Sequence, residues 1–179
     1  FFDVRVAGEH NFARQYLLVP ISMVSVALGQ VLFERTARSV RSGLPVRPEL
    51  RRVLLALIGL AALGGLFVLW LGEPLFVTLF GEPWRGAGRA SSVLIWGYSA
   101  QLVAGPLGAQ LLALGKVKAA MVFPLVFAGL LALLPLFRSL PPMRFMALLS
   151  LVEVIAYGAY AALVWYHVGR YDRSLTHTV

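Results

Sequence analysis

Five long apolar blocks restrict what this chain can fold into more than any other feature. Residues 16–33 run uncharged for 18 positions, 53–71 for 19, 93–114 for 22 and 119–137 for 19. The last block, 145–166, is 22 residues long, with Glu153 as its single charge. A helix needs about 20 residues to cross about 30 Å of hydrocarbon, so each block predicts a transmembrane span. Inside a bilayer every backbone N–H and C=O must be satisfied internally, which leaves helices or a closed barrel. The alternating strand pattern of a barrel is absent. The predicted fold class is therefore an all-α integral membrane protein with about five transmembrane helices in one membrane domain.

Composition agrees and excludes several chemistries. The chain is 59% hydrophobic and 13% charged, where a soluble protein is about half apolar and about a quarter charged. It has no Cys, so disulfides, thiolate metal sites and Cys nucleophiles are ruled out. His10, His167 and His177 are far apart and near segment ends, a poor basis for a metal site. There is no Gly-x-x-x-x-Gly-Lys-Ser/Thr loop, no Gly-x-Ser-x-Gly elbow and no His-Glu-x-x-His pair. Glu153 has no second carboxylate beside it in any block. No catalytic residue, metal or cofactor is expected, and an enzyme is not predicted.

A net charge of +8 on a soluble protein would suggest nucleic acid. Here the cations sit between apolar blocks, where they orient a membrane protein instead. Five spans place 34–52, 115–118 and 167–179 on one side, with ten Lys and Arg, and six on the other. The richer side is expected to be cytoplasmic, in a cell inner (cytoplasmic) membrane. Six of the ten are Arg35, Arg38, Arg41, Arg47, Arg51 and Arg52. In that loop Glu34 to Ser42 continues the first helix, Gly43 and Pro45 break it, and Pro48 with Glu49 opens the next. The plain reading is a stop-transfer loop that also touches anionic lipid headgroups. A specific binding patch is the alternative. On the opposite side 72–92 reads as an outer interfacial segment. A short surface helix over Leu75–Phe80 would be anchored there by Phe76, Phe80 and Trp84.

Polar residues within the blocks are the candidate functional positions, because buried polarity in a bilayer is costly. Helical spacing puts Ser150, Glu153, Tyr157 and Tyr160 on one stripe of the last helix. Tyr98, Gln101, Gly105 and Gly108 share a stripe of the third block, with Gln110 off it. Gly105-Pro106 should kink that helix. Ser22, Ser25 and Gly29 align on the first helix, with Gln30 adjacent. Such stripes either line a water-filled cavity or form seams between helices. The substrate or coupling-ion candidates are Glu153, Gln101, Tyr98, Ser150, Tyr157 and Tyr160.

Three stretches carry a family resemblance. Phe12-Ala-Arg-Gln-Tyr16 leads through Val19-Pro20 to Gly29-Gln30 and Phe33. Leu79-Phe80-Gly81-Glu82-Pro83-Trp84-Arg85-Gly86-Ala87-Gly88 is similar to a Phe-Gly-x-x-Trp-x-x-Ala-Gly element. Gly105-Pro106-Leu107 through Gly115-Lys116-Val117-Lys118 is similar to a Ser-Pro-Leu…Gly-Arg-x-Lys turn, with Gly105 in place of the Ser. In this order they resemble the C-terminal part of the polysaccharide and oligosaccharide flippases of the multidrug/oligosaccharidyl-lipid/polysaccharide exporter superfamily. The resemblance implies a two-lobed protein of about twelve or more helices, of which this chain, starting at Phe1 without Met, would be most of the second lobe. The partners implied are a lipid-linked oligosaccharide, membrane lipids, H⁺ or Na⁺, and the N-terminal lobe of the same polypeptide. The activity implied is export by alternating access. A multidrug or other lipid exporter, or a non-transporting scaffold subunit, are the alternatives. No signature of that family covers Glu153.

Overall fold

The computed structural model describes residues 3–176, apart from the side chain of Arg5. His177 lies outside the described residues. Six α-helices follow one another: α1 (Val4–Arg41), α2 (Arg47–Phe80), α3 (Arg85–Ala104), α4 (Gln110–Ala113), α5 (Val117–Leu133) and α6 (Pro142–Thr176). Short 3₁₀ turns occupy Glu82–Trp84, Gly105–Leu107 and Leu134–Phe137. No strand occurs among the described residues. The protein is an all-α membrane protein: Val6–Arg41, Arg47–Phe80, Val117–Phe137 and Pro142–Thr176 are each long and apolar enough to cross a bilayer.

Large apolar side chains point outward along these four helices. Met23, Leu63, Trp70, Leu125 and Leu136 are all more than half exposed. Water would penalise that surface by about 25 cal/mol per Å², and lipid removes the penalty. At about 1.5 Å per residue, the 38 residues of α1 and 35 of α6 exceed about 30 Å of hydrocarbon, so their ends stand in the aqueous phase.

The third block departs from the expected continuous span over 93–114. Its helix stops at Ala104, where Gly105-Pro106 opens a 3₁₀ turn before the one-turn α4. The expected kink is thus a break, because Pro106 has no N–H to offer and its ring crowds the preceding turn. The block is also less apolar than its neighbours for a structural reason. α3 is the axis of the bundle, packed against α1, α2 and α6. Ten of its twenty residues are buried, Gly88, Ser91, Gly97 and Tyr98 among them. A helix that faces protein rather than lipid can carry such residues.

Close approach to α3 depends on small residues of α2. Ala61, Gly65 and Gly72 recur on its buried face, with Ser99 beside Gly65 and Ser91 beside Gly72. α5 is peripheral, with no residue of its helix fully buried. It leans on α6 through Phe123 and Phe127, which pack against Tyr157.

The stretch 72–92 does not form a separate helix over Leu75–Phe80. α2 continues through Pro74 to Phe80, and Gly81, at φ +90°, turns the chain into α3. Phe76, Phe80 and Trp84 turn inward onto Phe12 and Tyr16 of α1, with Phe12 and Trp84 stacked at 3.8 Å. That aromatic cluster outcompetes an interfacial helix, since each large ring buries more surface against its neighbours. Around the same turn Arg85 bonds Glu73 and Glu82, and Arg89 bonds Glu73. The hydrogen bonds from Arg85 hold the Glu82 carboxyl below its ordinary range.

At the opposite end the chain turns over 42–46, with Gly43 at φ +62°. Pro48 and Glu49 stand in the first turn of α2. The C-terminal turns of α6 close over this link. Asp172 accepts hydrogen bonds from the backbone N–H groups of Val46 and Arg47, both at 2.9 Å. Arg47 stacks over Trp165 at 4.5 Å. Val46, Leu50, Leu107, Leu111, Val164 and Val168 form the core beneath. The ten cations of the richer side therefore gather at one end of the bundle.

Candidate functional site

The α6 stripe meets α3. Gly97 N–H donates to Ser150 Oγ at 2.9 Å. One turn on, the Glu153 carboxylate lies against the bare Cα of Gly97, where any Cβ would overlap it. Tyr160 donates to the Gly108 carbonyl at 3.1 Å, at the broken end of the third block. Ser150 and Tyr160 are buried, and Glu153 and Tyr157 are half-buried. The stripe thus divides: Ser150 and Glu153 face α3, whereas Tyr157 and Tyr160 also pack on Phe123 of α5. Glycine at 97 is what lets a carboxylate fit between the two helices.

Glu153 Oε2 is buried and accepts no hydrogen bond among the described residues. Among the described residues, the one charge that acts on it comes from α1. Arg14 of α1 acts on the carboxylate across the bundle. Tyr98 of α3 feels both Glu153 and Arg14, and Tyr157 of α6 feels Glu153. In the sequence Arg14 precedes the first apolar block by two residues and reads only as an orienting charge. An unpartnered carboxylate oxygen set between two helices can accept a proton or a small cation.

The other candidates divide. Tyr98 is buried in the core with Ala13, Leu94 and Met146. Gln101, half-buried one turn beyond Gly97, makes no hydrogen bond to the α6 stripe among the described residues. Tyr157 lines an apolar hollow of about 540 Å³ between α2, α3 and α6, with Gly65, Trp96 and Ala161.

A second polar group lies at the break. Gln110, fully buried, accepts a hydrogen bond from Thr36 of α1 and donates to the Pro106 carbonyl at 3.4 Å. Helical spacing had set Gln110 apart because it continues α3 without the break. Beside it Gly29 sits against Pro106 and Ser25 against Gly105, and Ser25 Oγ is buried without a partner among the described residues. Among the described residues no group of His, Asp and Glu is placed to hold a metal ion.

No protein-family model, curated protein or solved structure matches the chain.

Proposed function

We propose that this chain is most of one lobe of a flippase that exports a lipid-linked oligosaccharide or polysaccharide precursor by alternating access. The other lobe would come from the same polypeptide. One observation carries the reading: the three stretches that resemble the flippase family, far apart in sequence, converge on α1. Phe12 stacks on Trp84 of the second stretch, and Gly29 abuts Pro106 of the third. An element set that a family shares for a structural reason is expected to pack together, and these two contacts, each made on the first stretch, support the reading. In this reading the Glu153 group binds a coupling proton or Na⁺, and the Arg-rich end is cytoplasmic.

The enclosure of Ser150 and Glu153 between α3 and α6 favours a second reading, a non-transporting scaffold in which the stripe is a packing seam. Complementation separates the two. The whole gene containing this chain, placed in a bacterium lacking its own flippase for lipid-linked oligosaccharide, is expected to restore surface polysaccharide. Normal membrane abundance with no surface polysaccharide favours the scaffold. Orientation is tested apart from function. Cysteines introduced at Ser42 and Ser174 should label only from the cytoplasm and one at Gly86 only from outside; the reverse pattern overturns the orientation.

A further inference from the structure

α1 and α2 are joined by the short link 42–46 yet scarcely touch along their length, because α3 packs behind both. The cleft between them holds two hollows. At the Arg-rich end lies one of about 470 Å³, with Arg35, Ser39, Glu49 and Arg52 on its rim and Leu44, Pro45 and Val53 as apolar walls. Deeper lies one of about 260 Å³, walled by Pro20 and Val24 of α1 and Leu60 and Gly64 of α2, with Ile95 and Leu102 of α3 as its floor. Val53 and Leu60 are seven residues apart, and Val24 and Arg35 eleven, so each pair shares a helix face. Leu28 and Val53 form a half-buried apolar step between the hollows.

The charge at the mouth is positive. Glu49 is bonded to Arg35 at 2.7 Å, while Arg52 and the neighbouring Arg38, Arg41 and Arg51 are exposed. Leu60 and Gly64 follow Arg52 by eight and twelve residues, about 12–18 Å along the helix. That depth matches the half-thickness of the hydrocarbon, about 15 Å. A basic, hydroxyl-bearing mouth above an apolar cleft of acyl-chain depth suits one molecule with both features.

The geometry points to a binding site for an anionic glycerophospholipid of the adjoining leaflet, its phosphate held by Arg52 and Ser39, with Arg35 turning from Glu49 to share it, and one acyl chain lying in the α1–α2 cleft. Guanidinium forks match phosphate oxygens in pairs. A zwitterionic lipid fills the cleft equally but brings no net charge to the mouth. Free phosphate reaches the mouth and leaves the cleft empty. The site is independent of transport.

The test uses the purified protein in detergent, with native mass spectrometry to count retained lipid and thermal unfolding as a second readout. Phosphatidylglycerol should be retained about tenfold better than phosphatidylcholine, at about fivefold per arginine or less, and should raise the unfolding temperature, while inorganic phosphate should not. Arg35→Gln/Arg52→Gln should remove the preference and leave phosphatidylcholine retention unchanged. Gly64→Phe should weaken both lipids, since a side chain at Gly64 meets open space and fills the cleft without a clash. Equal retention of the two lipids, stabilisation by inorganic phosphate alone, or variants that retain phosphatidylglycerol like the parent would each overturn the site.

Discussion

The Glu153 carboxylate rests against the Cα of Gly97, and the hydrogen bond from Gly97 N–H to Ser150 fixes the same two helices one turn away. The contact places the one charge of the last apolar block in a protein seam. Lipid does not have to solvate it. A side chain at position 97 is therefore more disruptive than its size suggests. Gly97→Val should destabilise by about 1–3 kcal/mol through overpacking, read by thermal unfolding in detergent. Glu153→Ala in the same chain should recover most of the loss, with a coupling of about 0.5–3 kcal/mol. Unfolding of the single and double variants at the same temperature would show that the two residues do not meet.

Glu153→Gln separates charge from packing, because Gln keeps the shape and hydrogen-bonding capacity but cannot ionise. In the whole protein it should reduce transport while leaving insertion and abundance nearly unchanged. Arg14→Gln should alter the pH dependence of transport in the parent and not in Glu153→Gln. Normal transport by Glu153→Gln would make the residue a packing contact.

Thr36 and Gln110 join α1 to the broken end of the third block inside the protein. Thr36→Val leaves a buried amide oxygen without its donor and should cost about 1–3 kcal/mol; Thr36→Val/Gln110→Leu removes both polar groups and should cost less than the sum of the two single losses. Strict additivity of the two single losses would contradict the bond.

Asp172 caps the first turn of α2 from the last turns of α6. A lost cap costs typically about 1 kcal/mol, so Asp172→Ala should lower stability by that order. It should also speed hydrogen exchange at the amides of Val46 and Arg47 before those of Leu57. Unchanged exchange there would remove the clamp.

Much of this was legible in the sequence. Block length and hydropathy place α1, α2, α5 and α6, and Gly43, Pro45 and Pro48 locate the turn between the first two. Spacing aligns Ser150, Glu153, Tyr157 and Tyr160 because a helix repeats every 3.6 residues whatever its surroundings. What faces that stripe is a tertiary fact. Gly97 carries no side chain to mark it, and Arg14 lies just outside its apolar block. Asp172 is far in sequence from the amides that it caps. Leu75–Phe80 reads as a surface helix because the run is too short to span on its own, yet it continues α2 through Pro74, and its rings find partners such as Phe12. Gln110 falls off the third stripe because helical spacing carries the phase of α3 through Gly105-Pro106, where the helix in fact breaks.

Transport itself tests the proposed function most directly. The complete polypeptide that contains this chain, reconstituted in liposomes with a fluorescent polyisoprenyl-diphosphate oligosaccharide, should move the sugar between leaflets faster than protein-free vesicles, and Glu153→Gln should slow it. Vesicles in which properly folded protein leaves the sugar in its starting leaflet, with or without a proton or Na⁺ gradient, would contradict the flippase reading.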